Sequence, residues 1–147
     1  MRKVVTDLTA LSKPTEMVKG THLSHPYLKV INDIRMYLMR HQKTAVGISA
    51  NQLGFTYAIA GFWETQTKIT IMVNPKIITQ TDETSTSKEM CLSLPNEEME
   101  VARYNEVLVD CKNWKEARTF RGFTSKVVQH EIDHLQGITI KDRHNEL

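Results

Sequence analysis

Apolar residues recur at helical spacing in the first third of the chain, where they predict an amphipathic helix. The recurrent positions are Tyr27, Val30, Ile31, Ile34, Tyr37 and Leu38, and the polar side carries Lys29, Asn32, Asp33 and Arg35. Ser24 is a candidate cap and Pro26 lies in the first turn. We expect this helix to end near His41.

Short alternating or β-branched runs predict several strands in the middle of the chain. The expected strands cover residues 55–59, 68–75, 76–79, 88–95, 101–103, 106–111 and 118–121. Pro95 is expected to stop the fourth of them. Residues 44–54, which are rich in small side chains, and the polar residues 81–87 are expected to be loops.

A second helix is predicted over residues 124–136, because Val127, Val128, Ile132 and Leu135 recur there and Gly137 supplies a stop signal. We expect an irregular arm over residues 1–23 and a polar tail from Lys141. The fold class is therefore α+β, with short antiparallel strands packed around the second helix and the first helix on the N-terminal side.

Length and composition indicate one globular domain over residues 1–147. The net charge of +2 is too small to indicate binding to nucleic acid or to a membrane surface. No apolar run approaches the roughly 18 residues of a membrane span, and the first residues lack the apolar core of a secretory signal. The chain has two cysteines, Cys91 and Cys111, which favours a reducing compartment such as the cytoplasm.

The second helix contains the motif H-E-x-x-H, formed by His130, Glu131 and His134. Residues four apart lie on the same helix face, so both imidazoles could bind one divalent metal ion beside Glu131 as a general base. A catalytic ion needs a third protein ligand. Candidates are Cys91, Cys111, Asp133 and other carboxylates; Asp133 faces a different direction, and either cysteine could be an ordinary buried residue.

Three segments resemble the signature motifs of the peptide deformylases, in the same order and at similar spacing. Residues 45–52, Ala-Val-Gly-Ile-Ser-Ala-Asn-Gln, resemble the pattern G-x-G-x-A-A-x-Q. Residues 89–93, Glu-Met-Cys-Leu-Ser, resemble E-G-C-L-S, and residues 130–134 resemble H-E-x-D-H, preceded by Gln129. The likeness extends from Lys13 to Ile140, and it departs from the family pattern at Ala45, Ser49 and Met90.

The resemblance implies a metal-dependent hydrolase that removes the N-formyl group from formyl-methionyl peptides of newly made proteins and releases formate. The implied metal ligands are Cys91, His130 and His134, for one divalent ion that is Fe(II) in the cell, with Zn(II) or Ni(II) as alternatives. Glu131 is the implied general base and then general acid.

The resemblance also implies supporting roles around these groups. The Gln52 side-chain amide and the Leu92 backbone N–H would stabilise charge on the formyl oxygen. Glu89 would orient a metal-binding histidine and pair with Arg103. The implied substrate-binding residues are Gly47, Val46, Met90, Phe123 and Val127.

The departures leave alternatives open. Met90 replaces a glycine, so its side chain could crowd the substrate groove or add an apolar wall, and a metal-binding deformylase fold with little or no activity is one alternative. A metallopeptidase is another, although only His144 and Glu146 remain downstream as ligands. The other histidines, His22, His25 and His41, are expected at the surface.

The last departure concerns the C-terminal side and the expected partners. Many bacterial deformylases carry a further C-terminal helix that contacts the ribosome, and the chain ends about a dozen residues past His134. Ribosome contact is therefore left open. A compact member of phage or organelle type would look like this, acting on nascent peptides in the cytoplasm, or in the host-cell cytoplasm if phage-encoded.

Overall fold

The first predicted helix is present in a computed structural model of the chain, which describes residues 3–20 and 24–147. This helix, α2, covers Tyr27–Arg40 and buries the predicted apolar stripe. The predicted cap is wrong. Pro26 takes the N-cap position without a side-chain hydrogen bond, and Ser24 contributes only its carbonyl oxygen, which accepts a bond from the Leu28 N–H at 3.1 Å. His22 and residues 21–23 of the predicted arm lie outside the described residues.

The α+β prediction is confirmed, with four helices and antiparallel strands in the described residues. The helices are α1 (Leu8–Leu11), α2 (Tyr27–Arg40), α3 (Gly122–Leu135) and α4 (Ile140–His144). The strands are β1 (Gly47–Ser49), β2 (Ile59–Thr65), β3 (Lys68–Val73), β4 (Lys76–Gln80), β5 (Thr84–Cys91), β6 (Leu94–Tyr104), β7 (Glu106–Asp110) and β8 (Arg118–Arg121). They pair in the orders β1-β2-β3, β4-β7-β8 and β5-β6.

The sheet β1-β2-β3 lies between α2 and α3, and this arrangement places α3 at the centre of the fold. Alternate residues of β2 face opposite ways. Ile59 packs in the core cluster that contains the buried side chains of α2, whereas Phe62 packs in the cluster that contains Val128 and Ile132 of α3. A Cβ atom on Gly61 would lie 2.6 Å from the Ile34 side chain, so glycine permits the close approach of α2. No described helix has the length and apolarity to cross a membrane.

Residues 44–54, predicted to be a loop, instead form β1 and a short 3-10 helix over Ala50–Leu53. The Gln52 carboxamide oxygen accepts bonds from the N–H and the hydroxyl of Ser49, at 3.1 and 3.0 Å, which closes this turn. The strand predicted over residues 55–59 is wrong, because β2 starts at Ile59. The backbone just before β2 instead forms hydrogen bonds with the N-terminal segment, where the Ala58 N–H donates to the Glu16 carbonyl at 2.8 Å.

The hairpin of β5 and β6 is the largest departure from the prediction. Residues 81–87 were expected to be a loop, yet β5 begins at Thr84 and its polar side chains alternate between half-buried and exposed. Pro95 does not stop a strand but is the second residue of β6. It lies in an irregular stretch, because Cys91 pairs with Leu94 while the preceding residue pairs with Glu98. Proline is tolerated at such a bulge since no ladder bond is needed there.

The two ends of the described chain also contain structure that the sequence patterns missed. The predicted irregular arm contains α1, and the predicted polar tail contains all of α4 except its first residue, Ile140. The arm reaches the C-terminal end of α3, where the Thr15 N–H and hydroxyl both donate to the Leu135 carbonyl, at 2.9 and 2.8 Å. The Asn51 side chain donates to the His134 carbonyl at 2.7 Å. These bonds satisfy carbonyls that a helix end leaves without intrahelical partners.

Candidate active site

Three metal-ligating side chains converge where the end of β5 meets α3. His130 and His134 are one helical turn apart, and their Nε2 atoms are 3.1 Å from each other. The Cys91 Sγ atom lies 3.4 Å from His134 Nε2, and the three ligand atoms all lie within 4.8 Å of one another. Of the candidate third ligands left open by the sequence, Cys91 is thus the one beside both histidines. Cys111 packs in the core around α3, where burial raises the pKa of its thiol to about 12.

The three groups fit a tetrahedral divalent ion. Bonds of about 2.0 Å to nitrogen and about 2.3 Å to sulfur separate tetrahedral ligand atoms by roughly 3.3 to 3.6 Å. The separations from His134 Nε2, 3.1 Å to His130 Nε2 and 3.4 Å to Cys91 Sγ, are close to these values. Three protein ligands leave a fourth position open, as in catalytic sites. One sulfur and two imidazole nitrogens suit zinc or iron(II). The buried Nδ1 of His134 has no hydrogen-bond partner in the described residues, whereas its Nε2 lies beside Cys91 Sγ and His130 Nε2.

A series of ion pairs lies behind His130. Its Nδ1 is 2.9 Å from the carboxylate of Glu89, which accepts two bonds of 3.0 Å from Arg103. Arg103 also pairs with Asp133, and Asp133 accepts bonds of 3.0 and 2.7 Å from Arg143 on α4. Burial alone would raise the pKa of Glu89, but the hydrogen bonds from His130 and Arg103 outweigh it and lower that pKa to about 2. Glu89 is therefore an anion beside His130.

The two imidazoles have opposite pKa shifts in the chain without a metal ion. Burial lowers the pKa of both rings. For His130, the hydrogen bonds with Cys91 and Glu89 outweigh burial and raise the pKa to about 10. For His134, burial and the nearby charge of His130 lower the pKa well below its usual value.

Glu131 lies beside the ligand atoms and is almost fully buried. One of its carboxylate oxygens, Oε1, has no hydrogen-bond partner in the described residues. Burial raises the pKa of this carboxyl to about 7. A Cβ atom on Gly47 would lie 2.7 Å from Glu131 Oε2, so a glycine at this position of β1 is needed to leave room for the carboxylate.

The predicted oxyanion donor Gln52 is buried and engaged within the protein. Its Nε2 donates to Ser93 Oγ at 3.0 Å and lies 3.7 Å from Cys91 Sγ. Leu92 follows Cys91 in the turn between β5 and β6 and lines the same cleft as Gln52. Sequence reasoning assigned no role to Ser93, although it belongs to the quoted motif. It gave no signal for Arg143, which lies in the predicted polar tail.

A cleft of about 630 Å³ opens over these groups. It brings together Gly47, Val46, Gln52, Glu89, Met90, Cys91, Leu92, Phe123, Val127, His130 and Glu131. Arg103 and His134 lie behind its wall and are buried. A neighbouring groove of about 660 Å³ shares Val46, Phe123 and Val127 with the cleft.

Met90 lies at the rim of the cleft and is 64% exposed. It alternates with Glu89 and Cys91 along β5, so its side chain leaves the opposite face of the strand. In the described part of the chain, the non-glycine residues with positive φ are Asn74 and Asn96. Met90 therefore needs no glycine-like backbone conformation.

The downstream candidates for a metallopeptidase ligand lie elsewhere. His144 Nδ1 bonds to the Glu100 carbonyl at 2.9 Å, and Glu146 pairs with Arg143 at 3.4 Å. Among the described residues, Cys91 is the metal-ligating side chain that lies beside both His130 and His134. His25 and His41 are not in the cleft either.

Comparison of the sequence with known proteins finds one family repeatedly. The family model described as polypeptide deformylase matches residues 1–147. A peptide deformylase of Orientia tsutsugamushi is 42% identical over 74 residues, which are 48% of this chain and 41% of that protein. The peptide deformylase of Aquifex aeolicus is 33% identical over 142 residues, with 90% of this chain and 80% of that protein covered. The match thus spans less than half of the Orientia protein.

Comparison of the fold finds the same family. A class I type b peptide deformylase from Acinetobacter baumannii superimposes with a TM-score of 0.85 at 27% identity, covering 97% of this chain and 98% of that one. A probable peptide deformylase from Synechococcus phage S-SSM7 has a TM-score of 0.85 at 28% identity, covering 97% and 99%. Because the family model covers the whole sequence and the fold agrees, the chain belongs to the peptide deformylase family.

Proposed function

We propose that this chain is a metal-dependent amide hydrolase that removes the N-formyl group from formyl-methionyl peptides of newly made proteins, and that it releases formate. The observation that carries the proposal is the convergence of Cys91, His130 and His134 beside the buried carboxylate of Glu131, at the base of an open cleft. Family membership supports the same reaction.

Cys91, His130 and His134 would be the metal ligands of a single catalytic domain. The bound divalent ion, Fe(II) in the cell with Zn(II) or Ni(II) as alternatives, would polarise the formyl oxygen and lower the pKa of water. Glu89 would fix the orientation of His130 through the bond to Nδ1, and Arg103 would keep Glu89 ionised and in place.

Glu131 would accept a proton from the attacking water and then donate it to the amine that leaves. Its burial and its Oε1 atom suit this role, because this oxygen accepts no hydrogen bond from the described residues and is left to accept one from water. The Leu92 N–H and the Gln52 amide would stabilise the charge that develops on the formyl oxygen. Gln52 would exchange its bond to Ser93 for this oxygen.

The substrate would lie along the cleft as an extended peptide. Gly47 would let the peptide backbone come close to β1, and Val46, Phe123 and Val127 would contact the first side chain. Met90 would add an apolar contact at the rim. The partners are nascent formylated peptides in the cytoplasm, without direct contact to nucleic acid.

The test is formate release from formyl-Met-Ala-Ser, measured anaerobically with iron(II) and separately with zinc. We expect turnover by the wild type and a fall of about 10²–10⁴-fold in kcat for Glu131→Gln, with unchanged metal content. Absence of formate with either metal would reject the proposed activity. Cleavage of unformylated peptides at internal bonds would instead indicate a metallopeptidase.

A further inference from the structure

The cleft is polar at the end where β5 faces the start of α3. This polar end consists of Ser85, Ser87, Asn105 and Lys126, all in the cleft lining. The Lys126 Nζ donates to Ser87 Oγ at 2.9 Å, and Ser85 Oγ bonds to Asn105 Oδ1 at 2.5 Å. At this end of the cleft, polar side chains therefore take the place of the apolar wall that includes Phe123.

Lys126 lies within reach of a substrate bound at the metal ligands. It precedes His130 by four residues on α3, so both leave the same helix face and are about 6 Å apart along the axis. Phe123 lies three residues earlier on that face. The side chain of a formylated first residue that contacts Phe123 and Val127 would therefore end near the Lys126 amine.

The ammonium group of Lys126 is not paired with a carboxylate of the described residues. In the part of the chain that the structure describes, no carboxylate oxygen lies within 4.0 Å of its Nζ. The two carboxylates that line the cleft contact other groups. Glu89 is bound by Arg103 and His130, and Glu131 packs against Gly47. A lysine amine has three donors, and Ser87 accepts one of them. Donors remain for a ligand in the cleft.

We propose that Lys126, positioned by Ser87, makes this site select a first side chain with a hydrogen-bond acceptor at its end. The inference rests on the proposed deformylase activity. Amide and sulfoxide oxygens are strong acceptors, a thioether sulfur is a weak acceptor, and a methyl group accepts nothing. An apolar chain end would desolvate the charged amine without replacing its bonds to water. Formyl peptides that begin with glutamine or methionine sulfoxide are thus substrates in addition to those that begin with methionine.

The test compares kcat/KM for formyl-X-Ala-Ser, where X is glutamine or its near isostere norleucine. We expect glutamine to exceed norleucine by about tenfold or more, the range for hydrogen bonds to charged groups. Methionine should lie between them, and methionine sulfoxide should exceed methionine. Calorimetric binding of the same peptides to the inactive Glu131→Gln variant, loaded with zinc, should follow the same order.

Three variants assign the preference to Lys126. Lys126→Met keeps the length of the side chain without the charge and should remove the advantage of glutamine, whereas Lys126→Arg should retain it. The matched control is Lys29→Met, which alters an exposed helical lysine of α2 that pairs with Asp33. It should behave like the wild type. Thermal melts verify that each variant is folded.

The outcomes separate the two proposals. If the wild type releases formate from no peptide, the proposed activity fails. If it releases formate but favours norleucine or treats both peptides equally, the role of Lys126 fails while the activity stands. Retention of the preference by a folded Lys126→Met variant would also overturn that role. If Lys126→Met does not fold, the wild-type order and the behaviour of Lys126→Arg decide.

Discussion

The two ends of the cleft are built in different ways. At the ligand end, Cys91, His130 and His134 lie against buried groups, and Arg103, which is 3% exposed, bridges two carboxylates. At the open end, Met90 and Phe123 are 64% and 61% exposed and Val46 is 44% exposed. Substitutions at the ligand end should therefore alter metal affinity and folding, whereas those at the open end should alter substrate binding.

The largest effect is expected for Cys91→Ala, which removes one of three ligands. Loss of a partner outside the ligand shell typically costs 10–100-fold in metal affinity, so we expect a loss of at least about 100-fold for a direct ligand. Competitive metal titration measures it. Cys111→Ala, at the other buried cysteine, is the matched control, and it should keep wild-type affinity while costing about 1 kcal/mol of stability. Equal metal affinity in both variants would contradict the assigned ligand set.

Arg103→Met should reduce the free energy of unfolding by about 3–5 kcal/mol, because it removes the buried cation that Glu89 and Asp133 share and leaves Glu89 with His130 and Asp133 with the partly exposed Arg143. Urea unfolding of the metal-free protein measures this change. Arg143→Met is the comparison, since its side chain is 31% exposed and Asp133 keeps Arg103 as a partner. We expect a loss of about 1 kcal/mol there. A larger loss of stability for Arg143→Met than for Arg103→Met would contradict the greater contribution expected from Arg103.

Met90→Gly tests the open end. The thioether is exposed at the rim of the cleft, where it can contact a substrate, so we expect KM for formyl-Met-Ala-Ser to rise about fivefold with little change in kcat. Steady-state formate release gives both constants. A large fall in kcat, or a gain in activity on removal of the side chain, would mean that Met90 crowds the groove.

The smallest effect is expected for a partly buried ion pair, Arg118 with Glu64, next to the open end. The hydrogen bond from Arg118 lowers the pKa of Glu64 below 4.5, with a smaller contribution from Thr70 and against the effect of burial. Since the folded pKa lies below the unfolded one, the stabilisation is present above about pH 4.5 and is lost as the pH falls through the folded value. Glu64→Gln should be less stable by at most about 1 kcal/mol at pH 7.

That difference between Glu64→Gln and the wild type should shrink towards zero on acidification, because protonated glutamate resembles glutamine. Thermal unfolding of both proteins between pH 3 and 7 would follow it. A difference that grows as the pH falls would contradict the sign of the shift.

Helix α2 and the site-bearing helix α3 could be predicted because their apolar residues follow the helical period. The first half of strand β5 could not be predicted, since Thr84 to Ser87 contain no apolar residue, whereas its second half falls within the strand predicted over residues 88–95. Its strand conformation is determined by pairing with β6. The sequence pattern alone therefore gave no reason to start this strand before Lys88.

The residues of the site likewise fall into those that the sequence pattern predicts and those that it does not. His130, Glu131 and His134 follow from spacing within one helix. The choice of Cys91 over Cys111 depended on resemblance, because the two cysteines have similar local surroundings and only the hairpin brings one to α3. Lys126 and Ser87 were missed since their contact joins two elements 39 residues apart.

The bonds from Thr15 to the last carbonyl of α3 have a kinetic consequence. They join residues 120 positions apart, so a long loop must close before they can form. The C-terminal end of α3, the helix that carries His130 and His134, should therefore dock against the N-terminal segment late in folding. In refolding experiments, metal capture should lag behind the gain of helical signal and coincide with docking of the N-terminal segment.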